Sequence, residues 1–447
     1  MTKGQFAGYK PINQKLFSYN FISNYLGKDN IYFPGVIWLL SRFLIWAGML
    51  LLAPNIPMTD DSVFDHGTWG IFDAWDSVHY RAIATSGYEF YPDGQQYNLA
   101  FFPMFPVTIW VLMKIGLPFE IAGLLINNLS FLGAIYLLYF WVKKHCSLRI
   151  AQWTTIVICC CPMSMFTGVI YTEGLYLLFS IGCLRAFDEE KYSLTAFWGA
   201  MATATRPTGM ALIPALLLTT WRQRRGKIAY FTSLLTATGL ILFSIYCAIN
   251  FHDPLAFIAA QKGWRPSLGF DWQGWLNMLM QIILGRNWNF GWVWNDDGGI
   301  RDPWYPVFFG FMVYGTVTLW LRQKYWHPFI TYLVYTTLAV LLILVDQRVI
   351  NNLLNVLMVV GGSYLVWHFR RKLTPVMVIY GLCGVGLLLA SGGTISLSRL
   401  AYGIVPLSIA IGAWLSRFPR QAYLAVGLFV VLLFRLAIGF AQHHWVG

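Results

Sequence analysis

Long apolar runs separated by short basic clusters dominate the chain, and two longer polar intervals interrupt them. From about Tyr32 onward, apolar windows of roughly 17 to 22 residues recur, each long enough to cross a ~30 Å hydrocarbon layer as a helix. The pattern predicts helices near 33–53, 120–142, 150–170, 172–187, 228–249, 305–321, 328–345, 350–367, 374–391, 400–415 and 421–440. Two short segments, 193–204 and 207–221, flank an Arg206-Pro207-Thr208-Gly209 break and read as a broken pair inside the membrane. The sum is about thirteen helices in an all-α polytopic membrane protein. Residues 1–31 form a cytoplasmic tail and residues 32–447 a single transmembrane domain, with a first external loop at 54–119 and a second at 250–304.

Composition agrees with lipid as the main solvent: 57% of the 447 residues are hydrophobic and 11% charged, against roughly 25% charged in soluble proteins. The first thirty residues are polar and lack the apolar core of a cleavable signal, so the first span reads as a retained anchor. The net charge of +12 does not point to nucleic acid. Its lysines and arginines, such as Lys143-Lys144, Arg222-Arg225, Arg322-Lys324, Arg370-Lys372 and Arg417-Arg420, follow alternate ends of the spans, as the positive-inside rule expects. Of the nineteen acids, only Asp29, Asp188, Glu189 and Glu190 fall on that inner side, so the polar chemistry is expected to be external. The seven cysteines show neither disulfide nor zinc spacing and read as small buried hydrophobes.

The first loop carries Phe72-Asp73-Ala74-Trp75-Asp76-Ser77-Val78-His79-Tyr80-Arg81, spaced for a surface helix with Asp73, Asp76 and Tyr80 on one face. A carboxylate at the lipid–water boundary suits general-base work on an acceptor hydroxyl; the same spacing also fits a helix cap with a solvated acid. The stretch from Ala100-Phe101-Phe102-Pro103 to about Gly116 is short and proline-marked, which predicts a juxtamembrane helix. Glu173, Arg206 and Arg399 are charges at membrane depth, costly enough to imply function. The two arginines suit a phosphate, or else an internal ion pair with Glu173 or Asp346. In the second loop, Gln261 and Trp264 suit carbohydrate, although an interfacial tryptophan also serves as a membrane anchor. The Asp296-Asp297-Gly298-Gly299 turn offers too few ligands to imply a metal, and no nucleotide-binding, zinc-helix or nucleophile-elbow motif occurs.

Taken together, Trp75-Asp76 with His79-Tyr80, Ala100-Phe101-Phe102-Pro103, Tyr171-Thr172-Glu173, Thr205-Arg206-Pro207-Thr208-Gly209, Asp253-Pro254 and Ser398-Arg399 resemble the PIG-V family of mannosyltransferases and its bacterial relatives. That family is similar in architecture to the GT-C glycosyltransferases. The resemblance implies transfer of mannose from a polyprenyl phosphate to a glycolipid or glycan acceptor, with inversion. Asp76, or its neighbour Asp73, would be the base, and no cofactor would be needed. Trp75, His79, Tyr80, Glu173, Gln261 and Trp264 would shape the acceptor and sugar side, and Arg206 and Arg399 would bind donor phosphate. Pro207 and Thr208 depart from the family's usual residues after the arginine. The compact chain looks more like a bacterial relative, in the inner membrane with an extracytoplasmic site. A flippase or other transporter of lipid-linked sugars would also need intramembrane charges and a broken helix pair.

Overall fold

The structure is a computed structural model that describes residues 29–56, 67–265, 269–285, 304–322, 333–337, 340 and 344–446. The regular structure among those residues is helical, with one isolated bridge between Gly269 and Ser391. The expected helix at 328–345 lies largely, and the Asp296-Asp297 turn entirely, outside the described residues. In chain order the helices that matter for the site are α1 (Phe33–Ala47), α2 (Asp76–Ser86), α3 (Met104–Lys114), α4 (Phe119–His145), α5 (Leu148–Cys160), α6 (Glu173–Asp188), α7 (Tyr192–Thr205), α8 (Leu212–Arg222), α9 (Lys227–Leu235), α10 (Thr238–Phe251), α11 (Ala256–Gln261), α12 (Trp272–Leu284), α13 (Trp304–Arg322), α14 (Gln347–Val356), α15 (Gly362–His368), α16 (Pro375–Ala390), α17 (Leu397–Tyr402), α18 (Val405–Leu415) and α19 (Pro419–Ala441).

Among the described residues, four stretches are long and apolar enough to cross a bilayer unaided: Phe33–Asn55, Phe119–His145, Gln347–His368 and Gln421–Ala441. The first and third keep their length by passing through π turns, at Gly48–Leu52 and Leu357–Gly361. Helix starts are set locally. Ser147 accepts a hydrogen bond from the Ile150 amide, and Thr374 accepts one from Met377 ahead of Pro375, each satisfying a donor that the first turn leaves free.

Other expected spans are broken, and the breaks have physical causes. The helix expected over 150–170 stops at Cys160, because Pro162 cannot donate its amide; a 3-10 segment, Pro162–Thr167, and non-helical backbone follow as far as Thr172. The span expected at 400–415 is two helices, α17 and α18, joined at Gly403-Ile404 just before Pro406. The span expected at 228–249 is α9 and α10, bent by 40°. The break expected at Arg206-Pro207 is present, with a 3-10 turn, Pro207–Ala211, between α7 and α8.

Much of the backbone freed by the first of these breaks is paired by side chains, with Trp46 donating to the Gly168 carbonyl at 3.2 Å and Asn127 making three such bonds. Asn127 of α4, fully buried, donates to the carbonyls of Phe166 and Val169 at 2.8 and 2.6 Å and accepts from the Gly174 amide at 2.7 Å. The approach requires a glycine, since a Cβ on residue 174 would sit 2.2 Å from the Asn127 carbonyl oxygen.

Polar contacts sort the bundle into two ends. At one, Asp29 pairs with Lys143, Asp188 accepts from Trp141 and Thr374, Glu189 pairs with Arg185 and Lys191, and Arg225 donates to the Phe187 carbonyl. At the other lie α2, the end of the first span and the C-terminal residues, with Gln442 donating to Ala53 and Ile56 and Trp445 edge-on to Trp75 at 5.0 Å. Lys143, Arg185, Lys191 and Arg225 thus gather at the end away from Asp76.

Replacing Asn127 with Leu keeps the branching of the side chain and strands three backbone groups. At about 1–3 kcal/mol for each buried unpaired group, the variant should lose at least about 3 kcal/mol of stability, seen as a fall in its thermal unfolding midpoint in detergent.

Candidate active site

Three helix breaks converge on the end that carries Asp76. Glu173 is the first residue of α6, where free amides and the helix dipole favour an anion. Arg206 follows the last turn of α7 in extended conformation, where carbonyls favour a cation. Arg399 sits on the short α17. Asp76 opens α2, which lies across them.

The four form one charge network. Arg399 Nη2 lies 2.8 Å from Asp76 Oδ2, and its Nε lies 3.5 Å from Glu173 Oε1. Arg206 Nη1 donates to the same Glu173 oxygen at 2.7 Å. All but Arg399 are below one tenth exposed, and the Glu173 side chain is sealed. The Arg399 guanidinium lies against the adjoining rings of Phe166 and Tyr171, 5.3 and 5.2 Å from their centroids. Glu173 Oε2 has no hydrogen-bond partner among the described residues. The internal pair between Arg206 and Glu173 is therefore present, and it is joined to Asp76 rather than separate from it.

Asp73 does not share the face of Asp76. The helix begins only at Asp76, after Trp75 in a left-handed conformation (φ 60°), so the chain turns between the two acids. Asp73 accepts from Ser77 at 2.5 Å and pairs with Arg81, which also reaches Glu120 at 2.7 Å. This pair ties α2 to the start of α4 and leaves Asp73 out of the quartet.

Tyr80 lies one turn beyond Asp76, buried between Phe101 and Phe105 and hydrogen-bonded to Thr172. Burial, with the charges of Asp76 and Glu173, pushes its hydroxyl well above the usual range, so it remains a donor. Trp75 is partly exposed, with its ring against Trp445. His79 stacks on Phe101 at 4.8 Å and meets Trp264 edge-on at 4.9 Å. Gln261 and Trp264 spend their donors on the first loop, bonding the carbonyls of Ala100 and Tyr97 at 2.8 and 3.2 Å. The residues that sequence suggested as sugar ligands thus fasten the two loops together, through carbonyls at the two ends of the Tyr97–Ala100 turn.

Sequence reasoning gave no separate role to Tyr171, whose hydroxyl accepts from the Asp76 amide at 3.3 Å and donates to the Ala74 carbonyl at 3.4 Å. It also passed over Arg265, half-buried, with Nη1 donating to the Gly392 carbonyl at 2.6 Å. Neither carries a local pattern that marks it; only the fold brings them here. Among the described residues, no three His, Cys, Asp or Glu side chains come together as a metal set.

The motif-bearing stretch matches a family of glycosyltransferases. Residues 49–261 match the family described as Mannosyltransferase (PIG-V), a stretch that includes Asp76, Glu173 and Arg206 and ends before Arg265 and Arg399. No curated protein matches the sequence. Among solved structures, the chain is similar to ArnT from Cupriavidus metallidurans bound to undecaprenyl phosphate, at 13% identity and a TM-score of 0.46, covering 88% of this chain and 61% of that one. It is also similar to the apo oligosaccharyltransferase of Archaeoglobus fulgidus, at 11% identity and a TM-score of 0.47, covering 93% and 56%. The chain thus spans less than two thirds of either protein.

Two measurements check this geometry. Glu173→Gln and Arg206→Met each leave a buried charge uncompensated, which costs about 3–5 kcal/mol; the double variant should lose less than the sum, a coupling visible in thermal unfolding. Burial holds the His79 imidazole below its ordinary 6.5. As pH falls through that value the unfolded chain takes up the proton first, so acidification should lower stability, and His79→Phe should remove that part of the pH dependence.

Proposed function

We propose that the protein is an integral membrane mannosyltransferase of the GT-C type, with about thirteen membrane helices, that transfers mannose from a polyprenyl phosphate to a lipid-linked or glycan acceptor. The observation that carries this reading is the junction of Asp76, Glu173, Arg206 and Arg399 in one buried network at three helix breaks. The family match over 49–261 supports the sugar-transfer class.

The chemistry runs by exchange of partners. The donor phosphate competes with Asp76 for Arg399 and with Glu173 for Arg206, as a multivalent anion does for guanidinium groups. Asp76, released, accepts the proton of the acceptor hydroxyl as general base. The acceptor oxygen forms its bond to the anomeric carbon from the face opposite the phosphate, the carbon–oxygen bond to phosphate breaks, and polyprenyl phosphate departs with the electron pair. The configuration inverts, a β-linked mannosyl phosphate giving an α-mannoside. Charge on the departing phosphate is met by Arg206 and Arg399 in surroundings largely free of water. Glu173 Oε2 is left to accept from a sugar hydroxyl. Tyr80 and His79 bound the acceptor side, and Asp73 holds α2 in place.

The gathering of basic residues at the opposite end supports an extracytoplasmic site, here taken to face outward from a bacterial inner membrane.

Purified protein, given radiolabelled polyprenyl phosphate mannose and a membrane lipid extract, should yield a labelled product. Asp76→Asn, which keeps the shape and a hydrogen-bonding partner for Arg399, should reduce transfer by about 10²-fold or more while still binding the donor. Wild-type turnover in that variant would remove Asp76 as the base; a wild-type enzyme that moves another hexose but not mannose would remove the sugar assignment.

A further inference from the structure

The quartet has no net charge: Arg206 and Arg399 stand against Glu173 and Asp76. A phosphate ester brings more negative charge than such a cluster can balance, since exchange of partners sets two carboxylates free beside the anion. A further cation nearby would offset that excess.

Arg265 is positioned to be that cation. The residue before it, Trp264, is fixed against His79 at 4.9 Å, one turn beyond Asp76 on α2. Its own Nη1 is fixed to Gly392, in the segment leading into α17 and Arg399, and Gly269 adds a second tie by donating to Ala390 at 3.0 Å. The side chain is thus bracketed by the two walls that present Asp76 and Arg399. Among the described residues no carboxylate pairs with it, although it is half-buried.

We propose that Arg265 binds the phosphate of a polyisoprenyl phosphate, supplying the positive charge that the neutral quartet lacks. This rests on the reading of the site given above. Burial, and then the charge of Arg399, lower the affinity of the Arg265 guanidinium for its proton, as expected of a cation near a second one. An anion placed between them removes that repulsion and gains charge-assisted hydrogen bonds from the fork. The competing role is structural, a cap on the carbonyl past the end of α16.

Binding to purified protein in detergent separates the two, with undecaprenyl phosphate and the uncharged undecaprenol as probes. Arg265→Gln should weaken undecaprenyl phosphate about tenfold or more and leave undecaprenol unchanged, with Arg265→Lys in between. Equal affinity of wild type and Arg265→Gln for the phosphate would overturn the proposal, as would equal loss for both lipids, which is the signature of a cap. If wild-type protein fails to prefer the phosphate over the alcohol, the reading of the whole site fails instead, and this assignment with it.

Discussion

Two guanidinium groups and two carboxylates, held out of water at the meeting of three helix breaks, are the constraint around which this bundle is arranged. Any one of these charges, buried alone, would cost several kcal/mol in a low-dielectric surrounding, roughly the whole margin of stability of a domain. Each is therefore tolerable only with its partners. The partners come from positions 76, 173, 206 and 399, on separate helices, so the network can form only if α2, α6, α7 and α17 are brought to one place. Continuous helices would not suffice. A helix running straight through the membrane consumes its own amides and carbonyls, whereas a broken one presents a positive or negative terminus at depth, and both Glu173 and Arg206 sit on termini of the favourable sign.

Such a network is a poor way to gain stability, because desolvation of the ions offsets most of their attraction and apolar residues of similar volume would serve as well. Its presence is better explained by what it allows. The shared oxygen Glu173 Oε1 holds both arginines, at 2.7 and 3.5 Å, while Oε2 is unmatched. With Oε2 and Arg399 Nε both lacking a hydrogen-bond partner among the described residues, the network keeps an acceptor and a donor to spare. The rings of Phe166 and Tyr171 beside Arg399 keep the guanidinium in its plane without tying up its donors, so it can change partner without leaving its place.

Much of this was legible in the sequence, for identifiable reasons. Apolar run length located the four stretches long enough to cross a bilayer among the described residues, because lipid imposes a minimum length; the break at Arg206-Pro207 was visible because proline forbids continuation; and Glu173, Arg206 and Arg399 stood out because charge at that depth is costly. What failed to show was decided by geometry beyond the local pattern. Cys161-Pro162 sits in an apolar run that reads as one helix through residue 170, and the break is stabilised by side chains remote in sequence, Asn127 and Trp46, that bond its freed backbone. Asp73 and Asp76 fit one helical face on paper, yet the helix starts at the second of them. Gln261 and Trp264 have the chemistry of sugar ligands, but their donors meet backbone carbonyls of a distant turn. Arg265 looked like any loop arginine until the fold set Gly392 and the α17 segment beside it.

The position of Asp76 is itself imposed. Trp75, immediately before it, adopts φ 60° and ψ −115°, outside the regions a bulky residue prefers, at a cost of about 1–3 kcal/mol. Left to local preference the turn would relax, and the first carboxylate of α2 would swing away from Arg399. Two contacts oppose this. The Tyr171 hydroxyl bridges the Asp76 amide and the Ala74 carbonyl across the turn, and Trp445 packs edge-on against the Trp75 ring while its neighbours hold the chain, with Gln442 on Ala53 and Ile56 and Val446 buried. The same Tyr171 ring lies beside Arg399, so one residue fixes both ends of the Asp76–Arg399 pair. Strain at residue 75 is thus the local consequence of presenting an acid to a buried cation, and the C-terminal residues, remote in sequence, help to maintain it.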